Sequence, residues 1–219
     1  MALASVLLLT TTDSAAEVAA RLVPGPTGRV LVRQADDFSR PSGVPRGAPD
    51  QFEVAVELRA EDAGALLAAA ESLGKGLIDG VDRSRSIALV GTDYVMLPGP
   101  GPAVLIYALR RLPALSLAAF HDYWTSTHAE FGRRALAGQG YRQVHAIPAA
   151  SAELAGALGL QVSDLDGAVI SESSSWDAYW QRRATDGARK TGAEALADED
   201  NFIDHSRSMS MRYTEHAAV

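Results

Sequence analysis

One short pattern occurs twice in this chain, and the repeat constrains the fold more than any other feature. Asp82-Arg83-Ser84-Arg85-Ser86-Ile87-Ala88-Leu89 and Asp204-His205-Ser206-Arg207-Ser208-Met209-Ser210-Met211 share their first, third, fourth and fifth residues, and each leads into an apolar run suited to a strand. A repeated unit buries its apolar face against a neighbouring copy, so two related halves are expected. The flanking patterns agree. In the first half, 5–11 reads as a buried strand, Asp13 or Ser14 caps a helix through Leu22, and 28–35 forms a second strand. The Pro- and Gly-rich stretch 38–50 reads as a surface loop. A half-buried strand over 52–59 sets Val54, Val56 and Leu58 against Glu53, Ala55 and Glu57; a helix runs from Glu61 to about Leu73, stopped at Gly74, and 86–97 is the last strand. Pro98-Gly99-Pro100-Gly101-Pro102 marks the boundary.

The second half repeats the order with longer helices. Strands are expected over 103–110, 141–147, 167–172 and 208–214, with helices over 117–137 and 175–197 and a helical insertion at 151–158 that carries no evident chemistry. Each half is then a β-α-β-β-α-β unit of the ferredoxin-like kind, which places the chain in the α+β class with units at 1–97 and 103–219.

Composition narrows the chemistry. The chain has 219 residues, 47% of them apolar, enough for a sizeable core. With a net charge of -7 and no basic stripe, it lacks the electrostatic footprint of a nucleic-acid binder. Without cysteine there is no disulfide, thiolate catalysis or Cys-ligated metal. The apolar start reads as a strand because it has no cationic region before it, and no run is long enough to span a membrane, so a cytoplasmic location is expected. There is no Gly-x-Ser-x-Gly elbow, phosphate loop or His-Glu-x-x-His.

The reactive side chains are unevenly distributed. All five His residues and all three Trp residues lie beyond residue 119. At 3.6 residues per turn, Phe120, Trp124, Thr127, His128 and Phe131 share one helix face behind a Ser116 cap, with Asp122, Ser126, Ala129 and Arg133 elsewhere. An imidazole on an oily face is either a satisfied core residue or a general acid or base, because its unperturbed pKa lies near neutrality. Trp176, Tyr179, Trp180 and Arg183 form a second stripe, which either packs a core or walls an aromatic substrate. Asp198-Glu199-Asp200 with Asp204 reads as a solvated loop cluster, His121 and Asp122 as exposed, and His205 and His216 as surface or strand-end residues. No metal site is expected: a set of His128, His145 and His205 has no supporting spacing.

Val104-Leu105-Ile106-Tyr107-Ala108-Leu109-Arg110-Arg111, the helix motif Phe120-x-x-Tyr123-Trp124-x-x-x-His128, Gly140-Tyr141-Arg142-Gln143-Val144-His145 and the tail Phe202-Ile203-Asp204 together resemble the EthD-domain family over roughly 102–216. The first half looks like a degenerate copy without the motif. The family belongs to the dimeric α+β barrel superfamily, so the resemblance implies two ferredoxin-like sheets packed as a barrel within one chain, with helices outside. Where the family commonly has Pro two residues after the helix His, this chain has Glu130, so the helix is expected to run on. The resemblance further implies a cofactor-independent enzyme acting on a small aromatic or polyketide-like molecule by acid–base chemistry, of lyase or dehydratase type, with isomerase or cofactor-free monooxygenase as alternatives. His128 would be the general acid or base, paired with Tyr141 or His145, in a cleft walled by Phe120, Tyr123, Trp124, Phe131, Trp176 and Trp180. Two other readings stay open: a haem-binding barrel with His128 as axial ligand, since related barrels carry haem, and a non-catalytic barrel for a hydrophobic ligand or partner. Association as a homodimer is open too.

Overall fold

The structure, a computed structural model, describes residues 2–34, 52–73, 77, 79–99 and 101–217. The expected loop over 38–50 and the stop at Gly74 lie outside these residues. The first half contains β1 (Leu3–Thr11), α1 (Ala15–Arg21), β2 (Gly28–Arg33), β3 (Val54–Ala60), α2 (Ala63–Leu73) and β4 (Val81–Leu97). In the second half β5 (Ala103–Leu109) leads into α3 (Leu117–Tyr123), a π-helical turn (Trp124–His128) and α4 (Ala129–Ala135). There follow β6 (Gly140–Ala146), α5 (Pro148–Leu158), β7 (Gln161–Val162), β8 (Gly167–Ser173), α6 (Trp176–Arg183), α7 (Asp186–Glu199) and β9 (Met209–Glu215). The long helix expected over 175–197 is two helices, broken where Thr185 stops one and caps the next by accepting from the Ala188 N–H.

Eight strands close into an antiparallel barrel in the order β1-β3-β2-β9-β5-β8-β6-β4, with β4 pairing back to β1. The halves meet at β2–β9 and β4–β6. Closure leaves no free edge among these strands; β7 adds only a short parallel pairing onto β4. No described helix is long and apolar enough to cross a membrane.

Closure with helices outside means that both faces of a strand are covered. The interior holds Val6, Leu8, Leu31, Ile106, Val144, Ile170 and Met211, drawn from both halves. Outside, α1, α2 and α5 cover the first half over Leu7, Val56, Leu66 and Leu154, while Phe120, Trp124 and Phe202 pack over Tyr107 and Leu109 on the second. The insertion helix α5 therefore belongs to the first half's outer core, where Ser151 bonds to the Val90 backbone. All seven residues of β6 are buried, and so are Ala55 and Glu57 of β3, which the alternating pattern had placed outward.

The polar residues of that inward face pair with one another. Arg142 bonds to Glu57, to Asp93 at 3.0 and 3.1 Å and to Glu172 at 3.3 Å; Arg29 bonds to Glu57 at 2.7 and 3.0 Å and to Glu172. Burial alone would raise the Glu57 carboxyl, but the Arg142 and Arg29 charges outweigh it and hold it below the usual carboxylate range.

The repeated sequence builds the same latch twice. Asp82 accepts from Ser84 N–H and O–H at 3.0 and 2.6 Å, and Ser86 donates to the Asp82 carbonyl at 2.7 Å while accepting from the Thr10 N–H at 3.0 Å. In the second half Asp204 accepts from Ser206 N–H and O–H at 3.1 and 2.6 Å, and Ser208 donates to the Asp204 carbonyl at 2.8 Å while accepting from the Arg110 N–H at 2.9 Å. Each latch ties the entry of the last strand to the end of the first strand of its half.

Candidate active site

Ser116 starts the motif helix by accepting from the Ala119 N–H at 3.1 Å. Phe120 and Trp124, both fully buried, anchor its face, with Phe120 5.5 Å from Trp124 and from Phe202. The π turn then adds one residue to a helical turn, which rotates everything after it. Thr127, expected inward, is exposed; His128, Ala129, Gly132 and Ala135 are buried instead. The helix runs on to Ala135, as expected with Glu130 in place of Pro.

The turn aims His128 at the last turn of α7. Its Nδ1 lies 2.8 Å from Asp198 Oδ2, and the other Asp198 oxygen accepts from the Tyr123 hydroxyl at 2.8 Å. Its Nε2 is 4.0 Å from Glu199 Oε1. Burial lowers the His128 pKa, against the opposing pull of Asp198, so the ring is neutral at neutral pH. With the proton on Nδ1 for Asp198, Nε2 carries a bare lone pair.

Glu199 lies between two imidazoles. Its Oε2 lies 4.0 Å from His205 Nε2, and His205 Nδ1 meets the Tyr107 hydroxyl at 2.9 Å. Burial, then the charges of Asp200 and Asp198, push the Glu199 carboxyl up to about 8, against Arg183. It therefore keeps its proton at neutral pH, beside a base that does not hold one.

His128 and Glu199 line a cleft of about 100 Å³ between the second sheet and its helices, together with Tyr107, Tyr141, Tyr179, Arg183, Ser210 and the apolar side chains of Leu105, Leu136, Val169 and Leu196. Tyr141 enters because Gly132 has no side chain: a Cβ there would lie 2.6 Å from the phenol. The Tyr141 oxygen accepts from Gln143 Nε2 at 2.6 Å, which leaves its O–H to donate; burial pushes this hydroxyl up to about 12.

Of the expected site residues, the structure brings His128 and Tyr141 to one cleft and sets His145 apart. The His145 ring stacks on Trp124 at 4.5 Å, lies 4.6 Å from the His121 ring and bonds through Nε2 to Gln143 Oε1 at 3.0 Å. Burial, then His121, push it down to about 3, so it stays neutral. It reaches Tyr141 only through Gln143. Phe120 and Trp124 are core beneath the site, and Tyr123 acts on it through Asp198. Phe131 is half-buried, 6.2 Å from the His128 ring and capped by Arg134. From α6 the cleft receives Tyr179 and Arg183; Trp176 instead donates to Thr214 Oγ1 at 3.2 Å, and Trp176 and Trp180 flank Tyr179 at 5.3 and 4.8 Å.

Asp198, Glu199, His205 and Tyr107 are the residues that sequence reasoning passed over. An acidic run just past a helix expected to end at Ala197 reads as a solvated loop; α7 instead runs to Glu199 and packs against α4. His121 is half-buried, with its Nε2 2.8 Å from the Asp166 carbonyl.

Among the described residues no group of three or more His, Asp or Glu side chains is placed to hold a metal ion. A haem would find one suitable donor, since an imidazole anchored by a carboxylate is how many metal-binding histidines are held. It does not find room. The cleft's 100 Å³ falls well short of the roughly 300–1,000 Å³ that encloses a drug-sized ligand. The residues present do not fit a haem.

No curated protein sequence matches the chain. In fold it is similar to chlorite dismutase from Candidatus Nitrospira defluvii in complex with imidazole, at 10% identity and a TM-score of 0.54, covering 99% of this chain and 92% of that one. It is likewise similar to an anthrone oxidase-like protein, at 11% identity and a TM-score of 0.54 over 99% and 91% of the two chains. A dye-decolorizing peroxidase from Bacteroides thetaiotaomicron VPI-5482 matches at 10% identity and a TM-score of 0.53, over 97% and 92%. At these identities the likeness is one of fold. In sequence, residues 112–206 match the EthD domain, a stretch that includes His128, Tyr141, Asp198 and Glu199. The chain is an α+β barrel closed within one polypeptide, and residues 112–206 of its second half match the EthD domain.

Proposed function

We propose that this protein is an enzyme that acts on a small ring-bearing molecule by acid–base chemistry in the His128–Glu199 cleft, with no bound cofactor. One observation carries the reading: a neutral imidazole anchored by Asp198 at 2.8 Å presents Nε2 to the cleft, 4.0 Å from a carboxyl that burial keeps protonated. Two adjacent groups whose surroundings push their proton affinities apart suit a base and an acid. His128 Nε2 takes a proton from carbon or oxygen of the substrate. Glu199 gives its proton to a departing hydroxyl, which leaves as water. The products of the step are an imidazolium and a carboxylate side by side, and one proton passing between them restores both. The Tyr141 O–H is placed to donate to oxygen on which negative charge develops.

Dehydration and isomerisation both fit this sequence of proton transfers, with dehydration using Glu199 most directly. The cleft's apolar and tyrosine walls favour a ring over a sugar or peptide. Its size approaches the 150 Å³ or so of an engineered apolar cavity that takes up benzene, so one ring is enclosed rather than a fused polyketide. The test is a panel of single-ring hydroxy and keto compounds with wild type, His128→Ala and Glu199→Gln, following ultraviolet absorbance and dissolved oxygen. Turnover lost in both variants without oxygen uptake is the expected result. Oxygen uptake would move the class to oxygenase, and turnover unchanged in His128→Ala would end the proposal.

A further inference from the structure

The arginines Arg29, Arg110, Arg111 and Arg142 each bond to at least one carboxylate. Arg183, also half-buried, does not. Its guanidinium lies 6.0 Å from the Tyr179 ring centroid and makes no ion pair with a described carboxylate. Gly192 of α7 lies beside it, where a Cβ would stand in ordinary contact at 3.6 Å from Arg183 Nη1. Arg183 is the one Lys or Arg side chain among the described lining residues of the cleft, and Glu199, the lining acid that could balance it, holds its proton. The cleft thus has a fixed positive charge with no anion of its own, in a chain of net charge -7.

We infer that Arg183 recognises an anionic oxygen, phenolate or carboxylate, on a single-ring substrate, and so sets which end of the ring reaches His128 and Glu199. The inference rests on reading the cleft as the active site. A guanidinium offers a planar fork of donors that suits such an oxygen. The ring then lies along Tyr179 and the apolar wall, with its other end toward the acid and base. An uncharged ring of the same shape gains nothing from Arg183 and has no preferred direction.

The probe is 4-nitrophenol, whose yellow anion is distinguished from the neutral form by absorbance. Near neutral pH, wild-type protein is expected to increase the anion fraction, and benzoate to compete. Arg183→Gln is expected to weaken anion binding about tenfold or more, as for loss of one charged hydrogen bond, while Arg183→Lys, which keeps the charge without the fork, falls between Arg183→Gln and wild type. Binding of uncharged 4-nitroanisole is expected to be equal in wild type and Arg183→Gln. A thermal melt of Arg183→Gln matching wild type shows that the fold is kept. Selection of the neutral phenol, failure of either probe to bind, or equal anion affinity in Arg183→Gln overturns the inference. The binding arm needs no turnover, so the two failures are distinct. Arg183-dependent anion binding without turnover of any compound removes the acid–base reading alone; His128-dependent turnover with anion binding indifferent to Arg183 removes this one alone.

Discussion

Replacing Asp198 by Asn tests what holds the His128 proton in place. Asp198 is shared: one oxygen accepts from Tyr123 and the other meets His128 Nδ1, each at 2.8 Å. The Tyr123 hydroxyl donates to Asp198 Oδ1, so that oxygen is committed to accepting. In Asp198→Asn the amide oxygen is best placed toward Tyr123, and the NH2 then faces His128. An NH2 facing Nδ1 requires Nδ1 to accept, which moves the ring proton to Nε2 and leaves the cleft with a donor where it had a base. The charged form of the ring also loses its anion. A hydrogen bond to a charged group contributes about 1.5–3 kcal/mol, so losing it disfavours the imidazolium further and the His128 pKa falls below its wild-type position. The pair is buried, with side-chain exposures of 6% and 10%, so solvent screening does not erase the effect. Nitrogen-15 chemical shifts of labelled imidazole report both tautomer and pKa without any substrate. Wild type should show a protonated Nδ1 and Asp198→Asn a protonated Nε2; adding Tyr123→Phe frees the amide to turn and should restore the wild-type tautomer. An unchanged tautomer and pKa in Asp198→Asn would refute the reasoning.

Glu57→Ala leaves Arg142 and Arg29 short of a carboxylate inside the barrel; a loss of about 3–5 kcal/mol is expected, lowering Tm by about 6–20 °C in a calorimetric scan. Glu199 is protonated up to about pH 8 when folded but only to its ordinary 4.5 when unfolded, so the folded state binds the extra proton and wild-type stability falls as pH rises through that window. His128, with its lowered pKa, contributes stability that is complete above 6.5 and lost below it, so between about pH 6.5 and 8.5 the slope belongs to Glu199 and should flatten in Glu199→Gln by denaturant titration. Ser86→Ala and Ser208→Ala each orphan a strand-end N–H; each should cost about 1–3 kcal/mol, and the two losses should agree within about 1 kcal/mol in urea unfolding.

Much of the fold could be read in advance because it is local. Period-two and period-3.6 patterns, the Ser14 and Ser116 caps and the repeated Asp-x-Ser-x-Ser motif fix the element order, and the latches are the physical reason for the motif. Closure is not local. Glu57 reads as an outward residue because a half-solvated sheet would put it there; only a covered barrel makes it a partner of Arg142, 85 positions away. The site was half legible. His128 and Tyr141 carry family motifs, but the partner of His128 lies 70 positions away on another helix. Asp198 and Glu199 look like any solvated acidic run until α7 is carried two residues further. The inward turn of Ala129 and outward turn of Thr127 depend on a π turn, for which helical periodicity has no term.

The α5 helix has a wider consequence. It crosses from the second half to lie on the first half's outer face, where Leu154 and Leu158 fill the space and leave a hollow of only about 20 Å³ beside Leu66 and Val90. The outer face of the first half is therefore sealed by the other half's own chain. Opening a second chamber on that face would require excising a helix, not merely introducing a histidine.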